Sequence, residues 1–342
     1  MDTSPEALIR VRHGPESIIP SATAAAIRLL VASSGVASDV APRNEPLVGL
    51  WVAPGGRGCT VRFQEEPGDH LDLVGPHGVL ARFAYGTESP KPAWTHLATL
   101  QGDLLTLHRP FDHLHHRGAM LSWSDVNGLN FWEEDRGPEA TGRIVWRRWL
   151  DRASGPEELR VAAELHWVDP TGQVLVRQHL AFGGTLFDDG TWLFRVETVL
   201  SALDRPVHFS TPPPYNGFGL RLARSVQVRP RILNSAGGSG EAETCGVPAI
   251  WCDYSGYLDG GVGEAGVTVL SHPDNDRHPV PFFTRSQDMA FIAAAPTYHQ
   301  ERLIPPGASW SLAYGVVMHT GTPTAATCDA WAEQYAVGRN LW

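Results

Sequence analysis

The chain has 342 residues, a formal net charge of −10 and only 19% charged side chains. That acidic balance, with no basic run, gives a nucleic-acid role no electrostatic footing. No window of 18 uninterrupted apolar residues occurs, so no membrane span is expected.

The first twelve residues place Asp2, Glu6, Arg10 and Arg12 ahead of any apolar run, a poor signal peptide, and the chain reads as cytoplasmic. Residues 20–35 carry a helical pattern, with Ser21 as cap and Gly35 at the end, and 36–45 reads as a linker. Beyond it, 35 glycines and 27 prolines in the whole chain suit strands joined by tight turns. Short strand patterns fall at 51–52, 59–63, 71–74 and 79–85. Residues 119–134 read as strand, turn, strand. Four consecutive strands follow at 143–150, 159–168, 174–182 and 192–200. In the last, Phe194, Val196, Thr198 and Leu200 share one face, while Arg195, Glu197 and Val199 share the other. The Gly-rich stretch 233–243 reads as a mobile surface loop. Later strands are predicted at 262–271, 289–294 and 309–317. A final helix spans 325–337, with Ala326, Trp331, Tyr335 and Ala336 toward the body.

No fixed-period repeat appears. The expectation is an all-β chain: one large antiparallel β-sandwich over residues 46–322, preceded by a helical extension and linker (1–45) and closed by a helix packed on it (323–342). Cys59, Cys245, Cys252 and Cys328 are scattered without C-x-x-C spacing and read as reduced thiols, a Cys245–Cys252 pair across a hairpin being the alternative.

The chemistry concentrates in Asp112-His113-Leu114-His115-His116-Arg117-Gly118. Four of the chain's 15 histidines fall between His108 and His116. Core packing does not call for such density, because each buried ring needs its own partner. Imidazoles beside an acid can pass protons to and from a hydroxyl, ring oxygen or C–H. A metal reading would use His113 and His115 with His272 or Asp125, and a structural reading would have one or two rings anchor the loop. If the segment were extended, His113 and His115 would face away from His116. Asp125-Val126-Asn127-Gly128 marks a tight turn between Trp123 and Trp132. There Asp125 either orients a histidine or satisfies backbone donors, and the two tryptophans either stack on a sugar or fill the core. Further on, His272, Asn275, Arg277 and His278, followed by Arg285, offer donors for hydroxyls or a carboxylate.

Four segments together resemble the PmoA-like family, a bacterial group of unknown function. They are Asp112-His113-x-His115-His116-Arg117-Gly118, then Asp125-Val126-Asn127-Gly128-x-x-Phe131-Trp132, then Gly217-Phe218-Gly219-Leu220-Arg221, and last Ser271-His272-Pro273-x-Asn275-x-Arg277-His278-Pro279 with Phe283-x-x-Arg285. They cover roughly residues 80–320. The methane-oxygenase association of that name conflicts with the lack of any spanning segment. The resemblance implies a galactose-mutarotase-like β-sandwich and carbohydrate chemistry. It makes Tyr215, Asn216 and Arg221 substrate-lining residues, and fold analogy with mutarotases adds Glu197 as a base.

The resulting expectation is a carbohydrate-active enzyme working by histidine acid–base chemistry: glycoside cleavage, β-elimination or epimerisation. The catalytic set is His113, His116, Asp125 and Glu197. The binding set is His115, Arg117, Trp123, Asn127, Trp132, Tyr215, Asn216, Arg221, His272, Asn275, Arg277, His278 and Arg285. The expected partner is a small carbohydrate, without cofactor, metal, nucleic acid or membrane, and self-association is left open. The alternatives are a non-catalytic sugar binder and a metal-dependent enzyme of cupin type.

Overall fold

The computed structural model describes residues 48–52, 58–154, 159–260, 263–338 and 341. The helix expected over 20–35 and the linker 36–45 lie outside them. Two large sheets dominate. The first has ten strands, in the spatial order Val48–Val52, Gly58–Glu66, His70–Gly75, Gly78–Ala84, Ala93–Leu97, Ala119–Ser122, Gly217–Arg221, Phe291–Ala294, Val280–Arg285 and Pro248–Ala249. The second has eight: Arg231–Asn234, Trp251–Tyr257, Glu264–Ser271, Ser309–Thr320, Trp192–Ala202, Val174–Leu186, Leu159–Val168 and Arg143–Ser154. Neighbours pair antiparallel throughout both. The expected all-β, antiparallel sandwich is what forms.

Alternation explains the layering, because successive side chains leave a strand on opposite faces. From the first sheet Trp94, Leu121, Phe218, Phe282 and Ile292 point inward, and from the second Leu165, Phe182, Phe194, Val196 and Val316 meet them in one buried cluster. Rings cross the gap: Trp94 packs edge-on against Phe182 and Phe194 at 5.5 Å, and Phe218 stacks on Tyr314 at 5.7 Å. Each such side chain contributes about 1.5–3 kcal/mol by leaving water.

The second sheet's other face is covered by the helix Ala325–Val337, capped by the Thr324 hydroxyl, which accepts the Thr327 amide. Cys328, Trp331, Ala332 and Tyr335 form its buried stripe against Leu193, Trp251, Leu270 and Val317. Of the four residues expected on that stripe, Ala326 is exposed and Ala336 sits at its margin. Spacing at i, i+3, i+4 and i+7 from Cys328 leaves both off it. None of the described helices is long and apolar enough to cross a membrane.

Several expectations change. Gly217–Arg221 is a strand, not a free lining segment. A Cβ on Gly219 would stand 2.6 Å from Phe291 and 3.1 Å from Trp132, so glycine there admits two rings onto the sheet. Trp251–Tyr257 and Val280–Arg285 are strands that Gly, Ser and Pro obscured. Phe131 and Trp132 lie in a turn instead of a strand. The stretch 233–243 is knitted down: Asn234 Oδ1 accepts the Ala236 and Gly238 amides, and the Glu243 carboxylate accepts the Ser239 amide. Cys245, Cys252 and Cys328 are free thiols, so the Cys245–Cys252 pair does not form.

Gly118 ends the histidine segment with φ at 78°, and a Cβ on it would lie 2.3 Å from the Trp94 carbonyl oxygen. Gly118→Ala is therefore expected to cost about 2–4 kcal/mol, combining left-handed strain and overpacking. Unchanged urea midpoints for wild type and variant would contradict this packing.

Candidate active site

The outward face of the first sheet carries the site. Ala93, Met120, Phe291, Ala293 and the half-buried Phe283 project from its central strands, and small residues leave room for the Trp132 ring to lie on them with Tyr215 and Met289. Above this apolar floor runs the loop between Ala93–Leu97 and Ala119–Ser122. Two successive turns, with the His113 amide on the Pro110 carbonyl and the His116 amide on the His113 carbonyl, coil the segment tightly. The loop therefore brings all three imidazoles together instead of alternating them. Ring centroids of His113 and His116 are 4.7 Å apart and stacked; His115 stands edge-on to both, at 5.6 and 4.6 Å. His116 also stacks on Phe291 at 5.1 Å.

The three rings differ in surroundings. His116 is buried, and its Nδ1 faces Arg221 Nη1 at 3.4 Å. Arginine only donates, so the ring proton of neutral His116 belongs on Nε2. Burial, followed by the neighbouring histidines, Arg221 and Lys91, pushes its pKa down to about 2. His115 is half-buried and pushed down to about 4, by burial first and then by the Lys91 charge. Among the described residues nothing hydrogen-bonds the His115 ring. His113 Nδ1 lies 3.3 Å from Asp112 Oδ2, within ion-pair reach, but the N–H direction misses the oxygen and leaves no well-formed hydrogen bond. Asp112 is itself pinned by Arg221. Burial opposes its ionisation, but the Arg221 hydrogen bond outweighs that and holds the carboxyl at about 2.

Around the rings the buried cations meet carboxylates. Arg117 grips Glu134 through two bonds of 2.5 and 2.7 Å. Lys91 Nζ, 1% exposed, donates to the Trp132 carbonyl and to Glu134 at 3.1 Å. Burial lowers the Lys91 pKa to about 8 against the pull of Glu134. Glu133 accepts the Tyr215 hydroxyl and the Asn130 amide. Arg285 and Arg221 flank Phe291 on the same face, and Arg285 pairs with Asp288 at 3.0 Å.

Of the expected residues, the face thus gathers His113, His115, His116, Arg117, Trp132, Tyr215, Arg221 and Arg285. The others stand elsewhere. Asp125 Oδ1 accepts the Gly128 amide within its own turn, and Asn127 ties that turn to the backbone of Pro206 and His208. Trp123 is fully buried in the sandwich core, its indole donating to Thr297. Asn216 is buried and accepts from Ser124. Glu197 belongs to the second sheet, where both carboxylate oxygens accept the Leu341 amide. His272 packs on Tyr335 of the covering helix. Asn275 pairs with the Ala313 backbone, Arg277 donates to carbonyls of Pro296, Gln300 and Glu301, and His278 faces Ser271. The second loop cross-braces the sandwich and is no part of the face. The metal set fails with it, because His272 and Asp125 do not join His113 and His115; among the described residues no three His, Cys, Asp or Glu side chains are placed to hold a metal ion.

Sequence reading missed Lys91, Glu133, Glu134 and Asp288. Lys91 had a signal: it is the only lysine of the chain. Glu133 and Glu134 had none beyond following Trp132, and Asp288 had none.

A cavity of about 400 Å³ opens elsewhere, lined by Trp192, His319 and Trp331 among others. His319 there is occupied by Asp253 and the Gly321 carbonyl, and both indole N–H groups are bonded, so volume without available acid–base groups does not make it the better candidate.

No curated protein matches the chain. Similar solved structures include a galactose 1-epimerase from Lactobacillus acidophilus NCFM, at 11% identity over 81% of this chain and 99% of that one, with a TM-score of 0.37. A GalM/aldose epimerase homologue from C. elegans shows 8% identity over 77% of this chain and 100% of that one, with a TM-score of 0.36. A putative kojibiose phosphorylase from human microbiome has 8% identity over 86% of this chain and 36% of that one, with a TM-score of 0.33. Likenesses of this strength carry no argument about activity, and the fold stands on its own sheets. The PmoA-like name does not appear in these comparisons. Residues 73–333 match the family model described as a family of unknown function (DUF6807), and the chain belongs to that family.

Proposed function

We propose that this face is an active site in which His113 and His115 exchange protons with a carbohydrate, while His116 is a buried positioning ring. One observation carries the reading: three imidazoles share a single apolar floor, two of them are half-exposed, and the His115 ring has no hydrogen-bond partner among the described residues. A half-exposed imidazole can take a proton from a hydroxyl or an activated C–H and return it. Two-carboxylate hydrolysis fits less well, because Glu133 and Glu134 are both committed to Tyr215, Asn130, Arg117 and Lys91. The carbohydrate class rests on the PmoA-like resemblance of the four segments, each of which places at least one residue on this face. The reaction remains within glycoside cleavage, β-elimination or epimerisation.

The test assays purified protein by NMR against reducing sugars, simple glycosides and 3-keto glycosides. Turnover of at least one is expected, falling at least 100-fold in His113→Asn and His115→Gln. If no sugar turns over but one binds equally well to wild type and both variants, a non-catalytic sugar binder replaces the enzyme.

A further inference from the structure

We infer that the site takes an uncharged carbohydrate, and not a uronate or a sugar phosphate. The inference rests on the carbohydrate reading above and narrows it. Arginine is the usual anchor for a ligand carboxylate or phosphate, through two parallel N–H bonds. Three arginines do surround the imidazoles, as sequence reading expected, but each already holds a carboxylate of the chain. Arg117 holds Glu134, Arg221 holds Asp112, and Arg285 holds Asp288 with Glu241 at 3.6 Å beyond. Lys91 shares Glu134. Two rim arginines also face carboxylates, Arg136 at 3.6 Å from Glu133 and Arg224 at 3.7 Å from Asp112.

An anionic ligand must therefore displace one of these carboxylates or sit beside it. Displacing Glu134 or Asp112, 19% and 24% exposed, leaves a partly buried carboxylate unpaired, and juxtaposition sets like charges within a few ångströms. What the face offers freely is neutral. The half-exposed rings of His113 and His115 reach the surface, and Tyr215 with Phe283 presents ring surface beside Arg285. These groups suit an uncharged polyol with apolar C–H patches.

The experiment titrates methyl glucoside, methyl galactoside, glucuronate and glucose 6-phosphate at low salt, following the ring signals of His113 and His115 by NMR. A neutral glycoside is expected to move those signals with at least 10-fold tighter binding than either anion. Asp288→Asn, which strips Arg285 of its closest carboxylate, is expected to improve glucuronate relative to the neutral sugar at least 10-fold, an effect that 0.5 M salt weakens. Tighter binding of either anion to wild type overturns the inference and leaves the carbohydrate reading standing. An Asp288→Asn variant with unchanged preference also overturns it. If no compound moves the histidine signals, the carbohydrate reading falls and the inference with it.

Discussion

Replacing Glu134 with alanine is expected to lower the unfolding free energy by about 3–5 kcal/mol, the usual penalty for removing one partner of a buried ion pair. Glu134 neutralises two cations at once, and both are inside: Lys91 has 1% of its side chain exposed and Arg117 has 7%. Without the carboxylate, Arg117 loses both of its bonds to it, and Lys91 keeps only the Trp132 carbonyl. The deficit arises from stranded charge, so Lys91→Met in the Glu134→Ala background should recover part of it, although either change alone destabilises. Urea unfolding of the four proteins at pH 7 measures this as a double-mutant cycle. Strictly additive losses would show that the two groups do not interact and would remove the ion cluster as a support of the histidine loop.

Acid is expected to destabilise the fold well above the carboxylate range. An unfolded histidine binds its proton near pH 6.5, whereas folded His116 and His115 resist protonation down to about 2 and about 4. Below pH 6.5 the unfolded chain therefore carries more protons than the folded one, and stability falls as pH falls. Each ring contributes about 1.4 kcal/mol per pH unit, and the pair about 5 kcal/mol between pH 6.5 and 4.5. Asp112, already held at about 2 when folded, adds its own loss in the same direction, but mainly below pH 4. Comparing wild type with His116→Gln by urea unfolding at pH 6.5 and 4.5 isolates one ring. The variant should lose about 2 kcal/mol less over that interval. Equal losses would mean that His116 is protonated in the folded protein and faces water.

The candidate site was partly legible along the chain. Three imidazoles and an aspartate within five residues mark chemistry without any coordinates, because nothing in a core rewards that composition. Their arrangement was not legible. Strand alternation would have split His113 and His115 from His116, and it took the two turns after Pro110 to stack the rings. Glu197 shows the opposite failure. Its place on the Trp192–Ala202 strand, facing away from Phe194 and Val196, was read correctly, but which sheet face receives the C-terminal segment is not written in a local pattern. The Leu341 amide claims both of its oxygens.

What the sequence determined by itself was everything that depends on near neighbours. Period-two alternation set the class of fold, and Thr324 with the residues after it set the last helix. The density of histidines set the place to look. What tertiary structure alone decided was pairing at long range: that Glu134 would meet Lys91, that Arg221 would meet Asp112, and that the loop around His272 would brace the sandwich instead of lining the face. The physical reason is that a charge in a half-buried setting takes whichever partner the strand order brings within reach, and strand order follows from the packing of the whole core.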